Sequence, residues 1–164
     1  MEIFRSRRLW VERKQVLLPN GVNKESVIIH PGHAVAILPI DGDRCKLLRQ
    51  YRYALGQYIL EAPAGTMEPD EDPAATAHRE LIEETGFAAR SIEPKGFIYT
   101  TPGFTDETIY LFEARGLFPS QEFKKDEDEV IEVVDVVTGD LNAMICDGTI
   151  CDAKTICLIH RCLG

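Results

Sequence analysis

Residues 72–86 carry the local signals that begin, continue and end an α-helix. Asp72 suits the N-cap, and Pro73 suits the first helical position because the N–H that it lacks has no partner there. Gly86 suits a left-handed residue after the last turn, and the alanines and leucine in between are good helix formers. We therefore predict a helix over about Pro73–Thr85.

Apolar and β-branched runs separated by Pro, Gly and Asn turns predict strands on both sides of this helix. They lie at 9–18, 27–30, 34–40, 45–51, 58–61, 96–99, 108–114 and 130–137. Two helical pieces follow, at about 138–146 and 153–162. This order predicts a mixed α/β layered fold with sheet between helices, and 164 residues suit one domain over 1–164.

The chain is acidic, with 27 acidic against 18 basic residues and a formal charge of −9. Such a surface repels a phosphate backbone, so a general nucleic-acid partner is excluded, whereas a small anionic ligand requires a cation or placed arginines. The N-terminus has no signal-peptide core, and no run approaches the roughly 18–20 apolar residues that cross a bilayer. We expect a cytoplasmic protein with no membrane partner.

The five cysteines do not have the paired spacing of a structural zinc site. In a reducing compartment they are expected to be buried thiols that act as small hydrophobic groups. They are Cys45, Cys146, Cys151, Cys157 and Cys162.

Three glutamates of the predicted helix share one face, with Arg79 at its flank: Glu80, Glu83 and Glu84. Glu80 and Glu84 repel each other as an i,i+4 pair, and the C-terminal half of a helix disfavours anions. A divalent cation removes this conflict, and carboxylate oxygens on a helix suit Mg²⁺ or Mn²⁺. The alternative is a solvated acidic face that is partly paired with Arg79.

The segment from Gly65 to Phe87 matches the pattern G-x5-E-x7-R-E-U-x-E-E-x-G-U at every defined position, where U is a bulky apolar residue. The matching residues are Gly65, Glu71, Arg79, Glu80, Leu81, Glu83, Glu84, Gly86 and Phe87. The chain therefore resembles the Nudix hydrolases. The resemblance implies an α/β/α sandwich with a mixed sheet and a catalytic loop–helix–loop, preceded by antiparallel strands over about residues 1–30.

The same resemblance implies roles within this motif. Glu80 and Glu84 would bind two or more Mg²⁺ ions together with the backbone carbonyl of Ala64. Glu83 would be a further ligand or act through metal-bound water, and Arg79 would hold the carboxylates in place. Glu71 is expected to be structural.

Residues 126–129 form an acidic run before a predicted strand. A bare charge run is usually a solvated loop. In the resembling enzymes an acidic loop at this place supplies the general base and a further metal contact. On that basis Glu127 is assigned as general base and Glu129 as metal ligand, with the exchanged assignment left open.

Three segments are similar to ADP-ribose pyrophosphatases: Gln50–Tyr53, Leu60–Gly65 and the loop 100–107. Pro102 of this loop lies 16 residues after Gly86. This similarity implies hydrolysis of ADP-ribose to AMP and ribose 5-phosphate. The implied substrate-binding residues are Arg52, Glu61, Pro102, Phe104 and Glu107. Arg52 is either a diphosphate clamp or a surface strand arginine.

Other interpretations stay open beside this one. The substrate is alternatively GDP-mannose or another sugar nucleotide or dinucleotide, while the N-terminal strands and the Pro102 loop disfavour a nucleoside triphosphate. From a different class, the chain is a non-catalytic sensor that binds ADP-ribose. In similar enzymes the N-terminal strands cross to a partner and help to build the nucleoside pocket, which implies a homodimer. Trp10 would stack on a purine or pack within a sheet.

Overall fold

The computed structural model describes residues 1–121 and 130–164, and it confirms the predicted helix from Pro73 to Thr85. The Asp72 side chain accepts hydrogen bonds from the backbone N–H groups of Ala74 and Ala75 at 2.9 and 3.2 Å. Gly86 follows with φ of 76°, and its N–H donates to the carbonyl of Ile82. Both ends of the helix are thus fixed by local groups that the sequence identifies.

Strands dominate the first two thirds of the chain, and two of the helices lie near its C-terminus. The strands are β1 (Glu2–Arg5), β2 (Trp10–Leu17), β3 (Asn23–His30), β4 (Ala34–Asp41), β5 (Arg44–Arg52), β6 (Gln57–Glu61), β7 (Ala64–Thr66), β8 (Phe87–Tyr99), β9 (Thr108–Pro119) and β10 (Ile131–Val137). The helices are α1 (Pro73–Thr85), α2 (Leu141–Cys146), which follows a 3₁₀ turn at Thr138–Asp140, and α3 (Ala153–Leu163).

The strands form a mixed sheet and a smaller antiparallel sheet. The mixed sheet has the order β10-β5-β4-β9-β8, with β6 paired to β5 and β7 paired to β4. Only the pairing of β4 with β9 is parallel among the described strands. β1, β2 and β3 form the antiparallel N-terminal sheet.

β4 lies at the centre of the mixed sheet and contributes to a core on each face. Val35 and Ile37 pack in the cluster that contains Ala77 and Leu81 of α1. Ala36, Leu38 and Ile40 pack in the cluster that contains Leu158 of α3. The sheet therefore lies between α1 and α3, and the predicted α/β/α sandwich with a mixed sheet is confirmed.

Some elements are longer than predicted and others were not predicted. β8 begins at Phe87 rather than at residue 96, and a register shift between Pro94 and Phe97 interrupts its pattern. β1 and β7 were missed because they are short and lack a buried apolar alternation. Within the described residues, no helix has the length and apolarity to cross a membrane.

The prediction of buried cysteines is right for Cys45 and wrong for Cys146 and Cys151, which are exposed. Burial raises the pKa of the Cys45 thiol to about 11. Cys146 ends the short helix α2 and Cys151 precedes α3, so neither reaches the core. Cys157 and Cys162 are half-buried.

Candidate active site

The C-terminal half of α1 carries three carboxylates in two different environments. Glu80 and Glu84 are each only 9% exposed, whereas the Glu83 side chain is 46% exposed. Of these three residues, the alternative interpretation of a solvated acidic face therefore applies only to Glu83. Burial of two like-charged groups on consecutive turns costs free energy unless nearby cations and donors compensate for it.

β7 lies against both buried carboxylates. The backbone N–H of Ala64 donates to Oε2 of Glu84 at 2.7 Å. A Cβ atom placed on Gly65 would overlap the carboxyl group of Glu80. The pairing of Val35 with Gly65 holds β7 to the central strand β4. We call Ala64 and Gly65 the carboxylate cradle, because their backbone is where the two glutamate side chains end.

Arg79 connects the carboxylates of α1 to the loop before the helix. Its Nε and Nη2 donate to the two oxygens of Glu71 at 3.1 and 3.0 Å. Its Nη1 donates to Glu80 at 2.7 Å and to Glu83 at 3.0 Å. Glu71 also accepts from the N–H of Glu68. The hydrogen bonds from Arg79 are the main reason that the pKa of Glu71 falls to about 2, and they raise the pKa of Arg79 well above its usual value.

A second charged group lies at the ends of β5 and β6. Arg52 donates through Nε and Nη2 to the two oxygens of Glu61, each at 2.7 Å. Glu61 is 1% exposed and also binds Lys154, which binds Asp152 at 3.0 Å. The pKa of Arg52 is raised, mainly by the Glu61 hydrogen bonds and also by the charges of Glu84 and Asp152. Of the α1 carboxylates, Glu84 thus acts electrostatically on Arg52.

Sequence reasoning missed Lys154 and Asp152. Lys154 is 93 residues from Glu61 along the chain, so no local spacing connects them. The available signal was the N-cap of the predicted C-terminal helix, where Asp152 accepts from the N–H of Thr155 at 3.0 Å. That signal places the start of α3 but does not reveal which strand it contacts.

The loop 100–107 is attached to the N-terminal sheet. Glu107 accepts from the hydroxyl of Thr100 at 2.7 Å, and the carbonyl of Phe104 accepts from the N–H of Ile29 at 2.9 Å. Pro102 and Phe104 are exposed, with half of the Phe104 surface open to solvent. The loop therefore presents an apolar surface beside β3.

The acidic residues Glu127 and Glu129 lie outside the described residues. The structure resumes at Val130, whose carbonyl accepts from the N–H of Tyr51 at 3.2 Å. The chain thus re-enters the described structure next to β5, one residue from Arg52.

Trp10 packs within the protein, as one of its two interpretations expected. Its ring stacks on His30 with centroids 3.8 Å apart, and His30 Nδ1 lies 2.6 Å from Asp106 Oδ2. These side chains border a cavity of about 340 Å³. Its lining residues are Arg5, Ser6, Arg7, Arg8, Leu9, Trp10, His30, Gly32, His33 and Asp106.

The donor set of the α1 site fits a hard divalent cation. Glu80 and Glu84 provide carboxylate oxygens, and the absence of a Gly65 side chain leaves room for Glu80 to reach the backbone of β7. Over 1–121 and 130–164, no cluster of three or more His, Cys, Asp or Glu side chains has an arrangement suited to a metal.

A mixed sheet lies between helices, and the glutamate-bearing helix α1 is held against β7 at Gly65, as the resemblance to a loop–helix–loop hydrolase predicts. The model of the NUDIX domain matches residues 30–143. The chain belongs to the Nudix family, and it is a hydrolase of that family.

Relatives with assigned functions cover most of the chain. An ADP-ribose pyrophosphatase of Bacillus subtilis (strain 168) is 38% identical over 157 residues, which are 94% of this chain and 84% of that protein. A methanol dehydrogenase activator of Bacillus methanolicus is 37% identical over 162 residues, 97% of this chain and 87% of that protein. A GDP-mannose pyrophosphatase of Yersinia pestis (strain Pestoides F) is 40% identical over 105 residues, 62% of this chain and 52% of that protein.

A solved structure has a closely similar fold. The crystal structure of an ADP compounds hydrolase superimposes with a TM-score of 0.86 at 26% identity, and the match covers 98% of this chain and 88% of that one. The match therefore includes the N-terminal sheet as well as the α/β/α sandwich.

Proposed function

We propose that this protein hydrolyses the diphosphate bond of a nucleoside diphosphate linked to a second group, with ADP-ribose as the preferred substrate. The products from ADP-ribose are AMP and ribose 5-phosphate. The observation that carries the proposal is the carboxylate cradle, where two buried glutamates meet the backbone of Ala64 and Gly65. The likeness to the Bacillus subtilis ADP-ribose pyrophosphatase over 94% of the chain supports the choice of substrate.

The proposed cofactor is Mg²⁺, or Mn²⁺ in its place, with two or more ions per site. Glu80, Glu84 and the carbonyl of Ala64 would hold it, with Glu129 as a further ligand from outside the described residues. Bound there, such a cation supplies Lewis acidity and neutralises diphosphate charge. Arg79 holds Glu80 at 2.7 Å, which keeps that carboxylate oriented before any ligand arrives.

The proton transfer is assigned to the protein. Glu127 acts as general base and accepts the proton of the water that attacks one phosphorus in line, which leaves the bridging oxygen on the departing phosphate. Glu83 is half-exposed and bound to Arg79 at 3.0 Å, so we place it at the outer edge of the site. Its proposed role stays that of a further metal ligand or of a group that acts through metal-bound water.

Substrate binding is assigned to Arg52 and to the loop 100–107. The planar guanidinium of Arg52 suits a phosphate, and it lies within reach of the charge of Glu84. Both oxygens of Glu61 are already bound to cations and the side chain is 1% exposed, so Glu61 acts on the substrate only through Arg52. Phe104 offers an exposed ring to the nucleoside, beside Pro102 and Glu107.

We also propose a single domain over 1–164 that works as a homodimer in the cytoplasm on small nucleotides. The N-terminal sheet exposes Ile3, Phe4 and Val27, and such apolar surface favours contact with a second copy. Free cysteines suit a reducing compartment.

A sugar nucleotide such as GDP-mannose is the second candidate substrate, because 105 residues are 40% identical to a GDP-mannose pyrophosphatase. The test measures phosphate release from ADP-ribose, GDP-mannose and NADH with Mg²⁺ and a coupling phosphatase, and from dGTP with a coupling inorganic pyrophosphatase, each against a blank without the protein. A kcat/KM for ADP-ribose at least about tenfold above the others supports the proposal, and a better rival replaces ADP-ribose.

A sensor that binds ADP-ribose without turnover is separated from an enzyme by Glu84→Gln. An enzyme loses turnover by roughly two orders of magnitude or more while keeping nucleoside binding, because the substitution removes a charged oxygen from the proposed metal site. Glu93→Gln is the control, since Glu93 is an exposed carboxylate on β8. No turnover by the wild-type protein with either metal would leave the sensor as the better explanation.

A further inference from the structure

The buried carboxylate of Glu61 is bound by two cations from different parts of the chain. Arg52 of β5 engages both of its oxygens, and Lys154 of α3 shares Oε2 with Arg52. Asp152 continues the series by binding Lys154 at 3.0 Å. Charges therefore alternate along the group, from Arg52 through Glu61 and Lys154 to Asp152.

The way in which Glu61 holds Arg52 directs the rest of its guanidinium outward. With Nε and Nη2 engaged by Glu61, the Nη1 group lies on the opposite edge of the plane. The Arg52 side chain is 39% exposed while the Glu61 side chain that it binds is 1% exposed, so a ligand would approach Arg52 from the side away from Glu61. Because Lys154 also neutralises Glu61, the carboxylate of Glu61 offsets less of the positive charge of Arg52. Arg52 therefore attracts an anion on its outer edge more strongly.

The start of α3 is also tied to the carboxylate cradle through the backbone. The N–H of Ala62 donates to the hydroxyl of Thr155 at 2.7 Å, and the carbonyl of Pro63 accepts from Ile37 of β4 at 2.8 Å. The next residue, Ala64, donates to Glu84. Three consecutive residues are thus anchored to α3, β4 and α1, and Lys154 lies at the α3 anchor.

We propose that Lys154 is a positioning residue, which acts through Glu61 to orient and charge Arg52 for the diphosphate of the substrate. The proposal rests on the proposed function, because it takes the Arg52 ligand to be a diphosphate. Lys154 itself is 12% exposed and bound to two carboxylates, so it does not reach the substrate.

The test compares Lys154→Gln with Lys95→Gln. Lys95 is a matched control because it shares a buried carboxylate, Glu113, with an arginine, Arg115, away from the cradle. For Lys154→Gln we expect KM for ADP-ribose to rise roughly tenfold while kcat stays within about threefold, because the lost interaction orients bound substrate. For Lys95→Gln we expect both constants to stay near wild type, whatever its melting temperature.

Three further measurements separate positioning from a general loss of structure. The inhibition constant of α,β-methylene-ADP-ribose rises in parallel with KM, whereas that of adenosine, which lacks the diphosphate, does not change. Adding Lys154→Gln to Arg52→Ala raises KM no further, because Lys154 acts through Arg52. Lys154→Arg keeps the charge and returns KM to within about threefold of wild type.

An unchanged KM in Lys154→Gln, an equal rise in Lys95→Gln or an additive double variant overturns the role of Lys154. If Lys154→Gln does not fold, Lys154→Met, which keeps the length of the side chain without its charge, takes its place in the same comparison, and an unchanged KM overturns the role. These failures differ from failure of the proposed function, in which the wild-type protein itself neither cleaves ADP-ribose nor binds its methylene analogue.

Discussion

Replacing Gly65 by alanine adds one methyl group at the point where β7 meets Glu80. Gly65 does not have the left-handed backbone that favours glycine, so alanine adopts its conformation without strain. The new Cβ overlaps the Glu80 carboxyl group, which must move by about 1 Å or more. A displacement of that size at a reacting centre costs on the order of 100-fold in rate, or about 2.7 kcal/mol of transition-state stabilisation.

The assay is kcat/KM for ADP-ribose at saturating Mg²⁺, with thermal melting to monitor the fold. Gly139→Ala is the control, because a Cβ there meets no atom within 4 Å and its backbone is also outside the left-handed region. We expect Gly65→Ala to lose about 100-fold, and Gly139→Ala to stay near wild type. If Glu80 is the group affected, Gly65→Ala adds little to the defect of Glu80→Ala. A Gly65→Ala activity within about threefold of wild type would refute the reasoning.

Two further predictions concern the arginine pairs. Arg79 lowers the pKa of Glu71 to about 2, below its usual 4.5, so this pair stabilises the fold above about pH 4.5 and is lost as pH falls toward 2. Glu71→Gln should therefore lower the free energy of unfolding at pH 7 by about 1–2 kcal/mol, allowing for solvent screening. Denaturant melts should show that the difference from wild type shrinks below about pH 4. A difference that stays constant with pH would contradict this prediction. Arg52→Lys cannot keep both hydrogen bonds to Glu61 and should raise KM for ADP-ribose about tenfold. Arg49→Lys, on the same strand, should leave KM unchanged. Equal KM values for the two variants would exclude Arg52 as a clamp for the diphosphate.

The parts of the fold that sequence predicts correctly are those set by neighbouring residues. Asp72, Pro73 and Gly86 define both ends of α1 because caps act within a few residues of the chain. β4 was recognised to within one residue because its run of buried apolar side chains is continuous. Local chemistry is sufficient in both cases.

The parts that sequence did not predict depend on which distant segments meet. The burial of Glu80 and Glu84 depends on the pairing of β7 with β4, and β7 has only three residues and no apolar pattern. The contact of Lys154 with Glu61 joins positions 93 residues apart. Spacing alone placed the glutamates on one helix face, but it did not show that Glu83 faces solvent while its neighbours do not.

Because β4 lies between two cores, we expect it to be among the last parts of this protein to unfold. The side chains of Val35, Ala36, Ile37 and Leu38 are fully buried on both faces of the sheet, so their amide protons are expected to exchange with deuterium only on global unfolding. β1 has no buried residue, and its amides are expected to exchange through local opening at much lower free energy. Because the carboxylate cradle is paired to β4, we expect it to keep its structure during local openings in which the N-terminal sheet has already separated.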